Sequence, residues 1–365
     1  MALSSIGVTV NGPHPWDPQA KDDRVLMDVA RGGSLVAGET FMDERWDVAK
    51  LDEFIARLQQ QHLLLDPILF GGLLFKKIKN KLFNLQRGER AFEVGEVHYD
   101  LGNDLYEEML DKRMIYTAAY WKDSKTLDEA QEAKLDLICK KLGLKPGDRL
   151  LDIGCGWGGL MKYAAEKYGV SCVGLSVSKE QTAYGRASCA GLPIEFVITD
   201  YADFKPSEQF DYVASIEMFE AVGHKNYEFF MKKAHSWLKP NGRFLLQTIG
   251  STLTHTVADP WIDRYIFPNG ILPTKALIER AIKSTFVAHD WHDIGRDYDK
   301  TLMAWWENFK TAYPTLDHDK YDRRFYRMWQ YYLLVCAGSF RVGHLADWQI
   351  VLTKSEVKEK PPVIR

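Results

Sequence analysis

Arg149-Leu-Leu-Asp-Ile-Gly-Cys-Gly-Trp-Gly-Gly159 decides the fold. An apolar run, Leu150 to Ile153, meets a glycine cluster and continues into Leu160-Met-Lys-Tyr-Ala-Ala-Glu-Lys-Tyr168. That order predicts a buried strand, a sharp turn and a helix. Gly154, Gly156 and Gly158 let the turn adopt φ > 0 and let a ligand lie against bare backbone. In an α/β crossover of this kind the ligand sits at the strand's carboxyl end. The glycines do not follow the GxGxxG order, and no Lys-Ser/Thr pair follows, so neither phosphate-binding pattern is present. Asp152, just before the turn, points to a ligand carrying positive charge. The plain alternative is a tight βα connection.

The surroundings favour the binding site. Val173-Gly-Leu-Ser-Val-Ser178 reads as a second strand about 20 residues on, where such folds contact a ribose. Phe210-Asp-Tyr-Val-Ala-Ser-Ile216 and Arg243-Phe-Leu-Leu-Gln-Thr-Ile249 read as further strands, and Leu238-Lys-Pro-Asn-Gly242 between them as the end of a helix. Trp348-Gln-Ile-Val-Leu352 is a final strand able to close the sheet as an antiparallel hairpin. Thr126-Leu-Asp-Glu129 is a capping box opening a helix through Leu142.

Leu151-Asp-Ile-Gly-Cys-Gly-Trp-Gly-Gly159 resembles motif I of the class I S-adenosylmethionine-dependent methyltransferases. With Gly174-Leu-Ser-Val-Ser-Lys-Glu-Gln181 and Met218-Phe-Glu-Ala-Val-Gly223, the chain resembles the cyclopropane-fatty-acyl-phospholipid synthases, relatives of the mycolic acid cyclopropane synthases. The resemblance runs from about residue 90 to the end, and more loosely before it. It implies an α/β fold: a Rossmann-like class I methyltransferase sheet with helices on both faces, plus a small N-terminal domain. It also implies the cofactor S-adenosylmethionine, with S-adenosylhomocysteine as product. The residues matched to cofactor binding are Tyr116, Thr117, Asp152, Gly154, Cys155, Gly156, Trp157 and Gly158. Ser176 and Gln181, with Asp200 and Tyr201 after the third strand, are assigned to the ribose and adenine. For Ser176 the alternative is a hydroxyl at a helix N-terminus.

The 365 residues suffice for two domains, and 46% hydrophobic content supports a real core. A net charge of −3 argues against non-specific nucleic-acid binding. Five scattered cysteines, without CxxC or zinc spacing, predict reduced thiols in a cytosolic protein and no metal site. No signal pattern opens the chain and no apolar run is long enough for a membrane span. Any membrane contact is therefore expected to be peripheral, at the inner face.

Residues 1–62 read as the small N-terminal domain, a candidate for dimerisation or membrane docking. Ser34-Leu-Val-Ala-Gly38 and Phe41-Met-Asp-Glu-Arg-Trp46 suggest short elements there, and Lys50–Leu58 an amphipathic helix. Residues 63–90 form a linker. His62-Leu-Leu-Leu-Asp-Pro-Ile-Leu-Phe-Gly-Gly-Leu-Leu-Phe75 is followed by Lys76, Lys77, Lys79 and Lys81. Such a stripe can lie on an anionic bilayer, or be a solvated basic connection. Residues 91–365 form the catalytic domain. Late in it, Leu302, Trp305, Trp306 and Phe309, then Phe325, Met328, Trp329, Tyr332 and Cys336, recur at helical spacing. That is core packing or the wall of an acyl channel.

The chemistry follows from the implied activity, methylene transfer to the cis double bond of a phospholipid acyl chain. An alkene attacking the sulfonium methyl leaves a carbocation, and ring closure then requires loss of one proton. The site must exclude water, shield a cation and hold a base. Glu220, after the fourth strand, is the best carboxylate by position, and Glu217 is its rival. The resemblance implies that a bound bicarbonate takes the proton, held by Glu220, Gln247, Ile249, Tyr298 and the backbone at Ala118. Position 247 is Gln where a His is common, and 118 is Ala where a Cys occurs. Glu220 is expected to accept bicarbonate's own hydroxyl proton and aim its free oxygens at the methyl. Cys336 is carried over from the family as an active-site cysteine. Without a neighbouring base it reads as a poor nucleophile. The alternatives are a C-methyltransferase making methyl-branched or methylene lipids, a small-molecule methyltransferase, and a lipid-surface binding protein without turnover.

Overall fold

The computed structural model describes residues 3–60, 102–252, 259–357 and 360–365. The expected boundaries near residues 62 and 90, and the lysine-flanked stripe between them, lie outside the described residues. The chain divides into two compact units: Met1–Asn84, Val257–Gly270 and Tyr298–Leu345 in one, and Leu85–Thr256, Ile271–Asp297 and Ala346–Arg365 in the other.

In the first unit a short antiparallel ribbon pairs β1 (Gln19–Ala20) with β2 (Trp46–Asp47). Helices Val25–Met42 and Leu51–Gln60 pack with Arg323–Arg341. The short elements expected between residues 34 and 46 prove to be one helix running to Met42. Only Gly33 departs from helical angles, at φ 65° and ψ −151°. Arg327 fastens this unit. Its guanidinium donates to the carbonyls of Phe41 and Trp46, both at 3.1 Å, and lies 3.5 Å over the Phe41 ring. The stripe of Leu302, Trp305, Trp306, Phe309, Trp329 and Tyr332 is buried within this unit, as core packing requires.

The second unit is built on a seven-stranded sheet in the order β5-β4-β3-β6-β7-β9-β8. The strands are β3 (Arg149–Ile153), β4 (Ser171–Ser176), β5 (Ile194–Ile198), β6 (Phe210–Ile216), β7 (Leu238–Ser251), β8 (Phe286–Asp293) and β9 (Leu345–Lys354). The pairs β5/β4, β4/β3, β3/β6 and β6/β7 are parallel, and β8/β9 is the expected antiparallel closure. One prediction moves: the helix before β7 ends at Trp237, and Leu238 already pairs with Phe210. Pro240 is tolerated there because the register shifts between Phe210 and Tyr212.

Period-two alternation sorts the sheet's side chains to two faces. Leu151, Ile153, Val213, Phe244, Leu246, Trp348 and Ile350 face the helices Tyr227–Trp237 and Lys275–Ile282. Leu150, Ala214, Ile216, Leu245 and Val351 face the helices Leu127–Leu142 and Gly159–Tyr168. The first of these two helices has the expected capping box, Thr126 Oγ1 accepting from the Glu129 N–H at 3.2 Å. The same alternation places Asp152, Gln247, Asp347 and Gln349 on this second face, in sequence with its apolar residues. A polar pocket therefore opens in an otherwise apolar layer.

Candidate active site

The turn after β3 matches its prediction. Gly154, Gly156 and Gly158 have φ of 83°, 54° and 87°, a region that strains any residue with a Cβ. A Cβ on Gly154 would stand 2.6 Å from the Met218 side chain, whereas one on Gly156 would meet no atom within 4 Å. The backbone at Gly156 is therefore open to a ligand. Trp157 is pinned beside it, its Nε1–H donating to Asn103 Oδ1 at 2.9 Å while its ring lies 5.0 Å from Tyr106. Tyr116 packs on the other side of Tyr106, at 5.2 Å.

Asp152 is buried, and its Oδ1 has no hydrogen-bond partner. Burial raises its pKa to about 7, opposed by the charge of Lys134. Lys134 is itself buried, donates to Thr117 Oγ1 at 2.7 Å, and is held down to about 8 by desolvation against the pull of nearby carboxylates. An unpaired carboxylate oxygen beside bare, left-handed backbone fits a cofactor that carries a positive centre.

Ser176 and Gln181 are buried at the carboxyl end of β4. The helix-capping hydroxyl considered for Ser176 belongs instead to Ser178, which accepts from the Gln181 N–H at 3.2 Å, while Ser176 Oγ accepts from the Ser178 N–H at 3.1 Å. Asp200 is buried after β5 and accepts from the Ala202 N–H at 2.8 Å; Tyr201 packs 5.2 Å from Phe230. Cys155 is buried, and desolvation holds its thiol well above the ordinary range, so it serves as packing.

The reacting groups expected after β6 and β7 are joined by a network. Glu217 stands at φ 51°, an uncommon angle for a residue with a side chain, costing about 1–2 kcal/mol. Its Oε1 accepts from the Ala118 N–H and from Gln247 Nε2, both at 2.8 Å. The second hydrogen of the same Gln247 amide goes to Asp347 Oδ2, also at 2.8 Å. Gln349 Nε2 donates to Gln247 Oε1 at 3.0 Å, fixing which way the amide points. Glu220 Oε1 accepts from the Ile249 N–H and, at 3.0 Å, from Thr248 Oγ1; its Oε2 is buried without a partner.

Crowding of carboxylates sets the charges. Desolvation, then repulsion from Glu217, raises Glu220 to about 8. Asp347 is raised well above its ordinary range by burial and by both glutamates. At neutral pH Glu220 holds its proton.

Ala118 and Gln247 are thus brought together on Glu217, and Ile249 on Glu220, in two neighbouring hydrogen-bonded sets within the unit that carries the glycine turn. Tyr298 and Cys336 belong to the first unit. There Tyr298 packs 4.5 Å from Phe340, and burial pushes the Cys336 thiol up to about 12, as a poor nucleophile requires. Sequence reasoning missed Asp347, Gln349 and Lys134. Their signal was polarity at inward positions: Asp347 and Gln349 alternate with apolar residues in β9, and Lys134 shares a helix face with Leu135 and Ile138.

Three of the donors matched to a bicarbonate shell can be checked directly. The Ala118 N–H and Gln247 amide are spent on Glu217, and the Ile249 N–H on Glu220 with Thr248 beside it. A second anion would meet the Glu217 carboxylate at the Ala118 N–H and the Gln247 amide. As they stand, these two donors do not fit bicarbonate.

A family model described as mycolic acid cyclopropane synthetase matches residues 86–350. The chain belongs to that family. It is 46% identical to the cyclopropane-fatty-acyl-phospholipid synthase of Escherichia coli (strain K12), over 96% of this chain and 91% of that protein. It is 30% identical to the tuberculostearic acid methyltransferase UfaA1 of Mycobacterium tuberculosis, over 95% and 85%. The crystal structure of the mycolic acid cyclopropane synthase CmaA1 complexed with SAH and CTAB superposes with a TM-score of 0.67 and 33% identity. It covers 72% of this chain and 98% of that one. The chain is thus an S-adenosylmethionine-dependent transferase with the class I methyltransferase sheet.

Proposed function

We propose that this enzyme transfers a methylene group from S-adenosylmethionine to the cis double bond of an unsaturated phospholipid acyl chain, forming a cyclopropane ring. The observation that carries this reading is the carboxylate network at the ends of β6 and β7. Transfer to a nitrogen or oxygen needs no base that strips a carbon, whereas ring closure does. The extent of the likeness to the Escherichia coli synthase supports the choice of lipid.

When bound, S-adenosylmethionine supplies an electrophilic methyl. The remaining work falls to the chain. Asp152, Gly154, Cys155, Gly156, Trp157 and Gly158 hold the cofactor, with Tyr116, Thr117, Ser176, Gln181, Asp200 and Tyr201 around it. Ala118, Glu220, Gln247 and Ile249 shape the reacting end; from the resemblance, Tyr298 is carried over as a member of the anion shell and Cys336 as an active-site cysteine. Bicarbonate as proton acceptor would first have to draw the Ala118 N–H and the Gln247 amide away from Glu217. The enzyme works peripherally on the cytoplasmic face of a phospholipid bilayer, with the N-terminal residues as the docking or dimerising part. Among the described residues no helix is long and apolar enough to cross a membrane.

The test is incubation of the purified protein with cofactor and vesicles of mono-unsaturated phospholipid, then fatty-acid analysis. Acyl chains should gain one CH₂ and show cyclopropane protons by NMR. A gain of CH₂ with new vinyl protons would instead support a methyl- or methylene-forming enzyme, the second reading, which the similarity to the tuberculostearic acid methyltransferase favours. No gain at all would end both.

A further inference from the structure

We propose that Glu217 is the enzyme's own proton acceptor and occupies the place that a captured bicarbonate would otherwise take. The inference rests on the ring-forming reading above. Three observations carry it. First, Glu217 Oε1 sits on the two donors matched to the anion, the Ala118 N–H and the Gln247 amide, each at 2.8 Å. A carboxylate and a bicarbonate present the same pair of acceptor oxygens to the same donors. Second, Gln247, Asp347 and Ala118 are fully buried, while Glu217, like Glu220, remains partly exposed. Of those two, only Glu217 lies on the Ala118 N–H and the Gln247 amide. Third, Glu217 is held at φ 51°, with its N–H donating to the Gln247 carbonyl at 2.8 Å. Backbone strain of this kind is retained at sites where placement matters.

Burial, then repulsion from Glu217, holds Glu220 protonated at neutral pH, and burial with repulsion from both glutamates raises Asp347. The two N–H donors on Glu217 Oε1 stabilise a carboxylate there.

The step balances as follows. The alkene's π pair bonds to the cofactor's methyl carbon, and the carbon–sulfur pair leaves with sulfur. The acyl chain is then a cation. Glu217 takes one proton from the transferred carbon, and the C–H pair closes the ring. Glu217 ends as a carboxylic acid and later releases its proton to solvent.

The experiment uses the full chain, S-adenosylmethionine and vesicles of mono-unsaturated phospholipid. Wild-type protein should form rings at the same rate, within about twofold, in decarbonated buffer and in added bicarbonate. Glu217→Gln keeps the shape and removes the base; its rate should fall at least about a hundredfold, the low end for a general base. Glu217→Gly accepts the backbone angle and frees both donors. It should also be inactive, bind S-adenosylhomocysteine normally by calorimetry, and regain activity with bicarbonate or formate. It should also broaden the ¹³C signal of labelled bicarbonate, which wild type should not. A tenfold or greater fall of the wild-type rate without bicarbonate would overturn the proposal, as would a Glu217→Gln variant that keeps its rate. Wild type that alkylates no unsaturated phospholipid would instead overturn the functional reading itself.

Discussion

The turn after β3 and the ends of β6 and β7 lie in one compact unit and are built by opposite means. The turn works by leaving side chains out: three glycines at positive φ expose backbone, and the nearest charge, Asp152, is left with an unpaired oxygen. The β6–β7 end works by crowding them in. Segments around residues 118, 217–220, 247–249 and 347–349 contribute to two neighbouring hydrogen-bonded sets, one on Glu217 and one on Glu220. One region is local and receptive; the other is assembled from distant parts and already internally satisfied. A site that must bind a large cofactor and then move one proton needs both kinds of construction.

Three substitutions probe that contrast. The largest effect is expected from Gln247→Leu, which leaves the buried Asp347 and the Glu217 carboxylate without their shared donor. It should cost about 3 kcal/mol of stability, measured by urea unfolding, because the buried Asp347 Oδ2 and the Gln349 amide lose their partners together. A loss below about 1 kcal/mol would mean that the network is ornamental. Next comes Gly156→Ala. Its Cβ meets nothing in the protein, so folding should suffer by only about 1–2 kcal/mol from the backbone angle. Binding of S-adenosylhomocysteine should fall at least about tenfold, or about 1.4 kcal/mol, if bare backbone is what the cofactor touches. Equal affinity in calorimetry would move the cofactor elsewhere.

The smallest effect should come from Glu220→Gln at pH 7, where the wild-type group is already protonated. Ring formation should stay within about tenfold of wild type, in contrast to Glu217→Gln. The pH dependence supplies a second readout. Glu220 is raised from 4.5 to about 8, so the folded state holds a proton that the unfolded chain releases. Its contribution is full below pH 4.5 and is lost as the pH rises through 8. The Gln variant should lose this part of the slope in thermal unfolding between those limits. An unchanged slope would place the wild-type carboxylate in its ionised form.

The two regions were unequally legible before the structure was known. The glycine turn, the capping box at Thr126 and the closing hairpin at Trp348 depend on neighbours in sequence, and each was read correctly. Glu220 was found by its position after the fourth strand, with Glu217 as its rival, and Gln247 and Ile249 through resemblance. Asp347, Gln349 and Lys134 went unnoticed because their meaning depends on β9 lying beside β7 and on the Leu127–Leu142 helix covering that face. Residues 34–46 were read as two short elements, whereas one helix runs from Val25 to Met42 and only Gly33 within it breaks the helical angles.

The Gln247 amide has consequences for how this chain can change. Both its hydrogens leave from a single nitrogen, one to each of two acids, a geometry that imidazole cannot reproduce. Exchanging Gln247 for His would therefore be tolerated only if positions 217 and 347 changed alongside it. The three behave as one heritable unit, and a variant library sampling them singly would find only losses where the combined exchange retains a working enzyme.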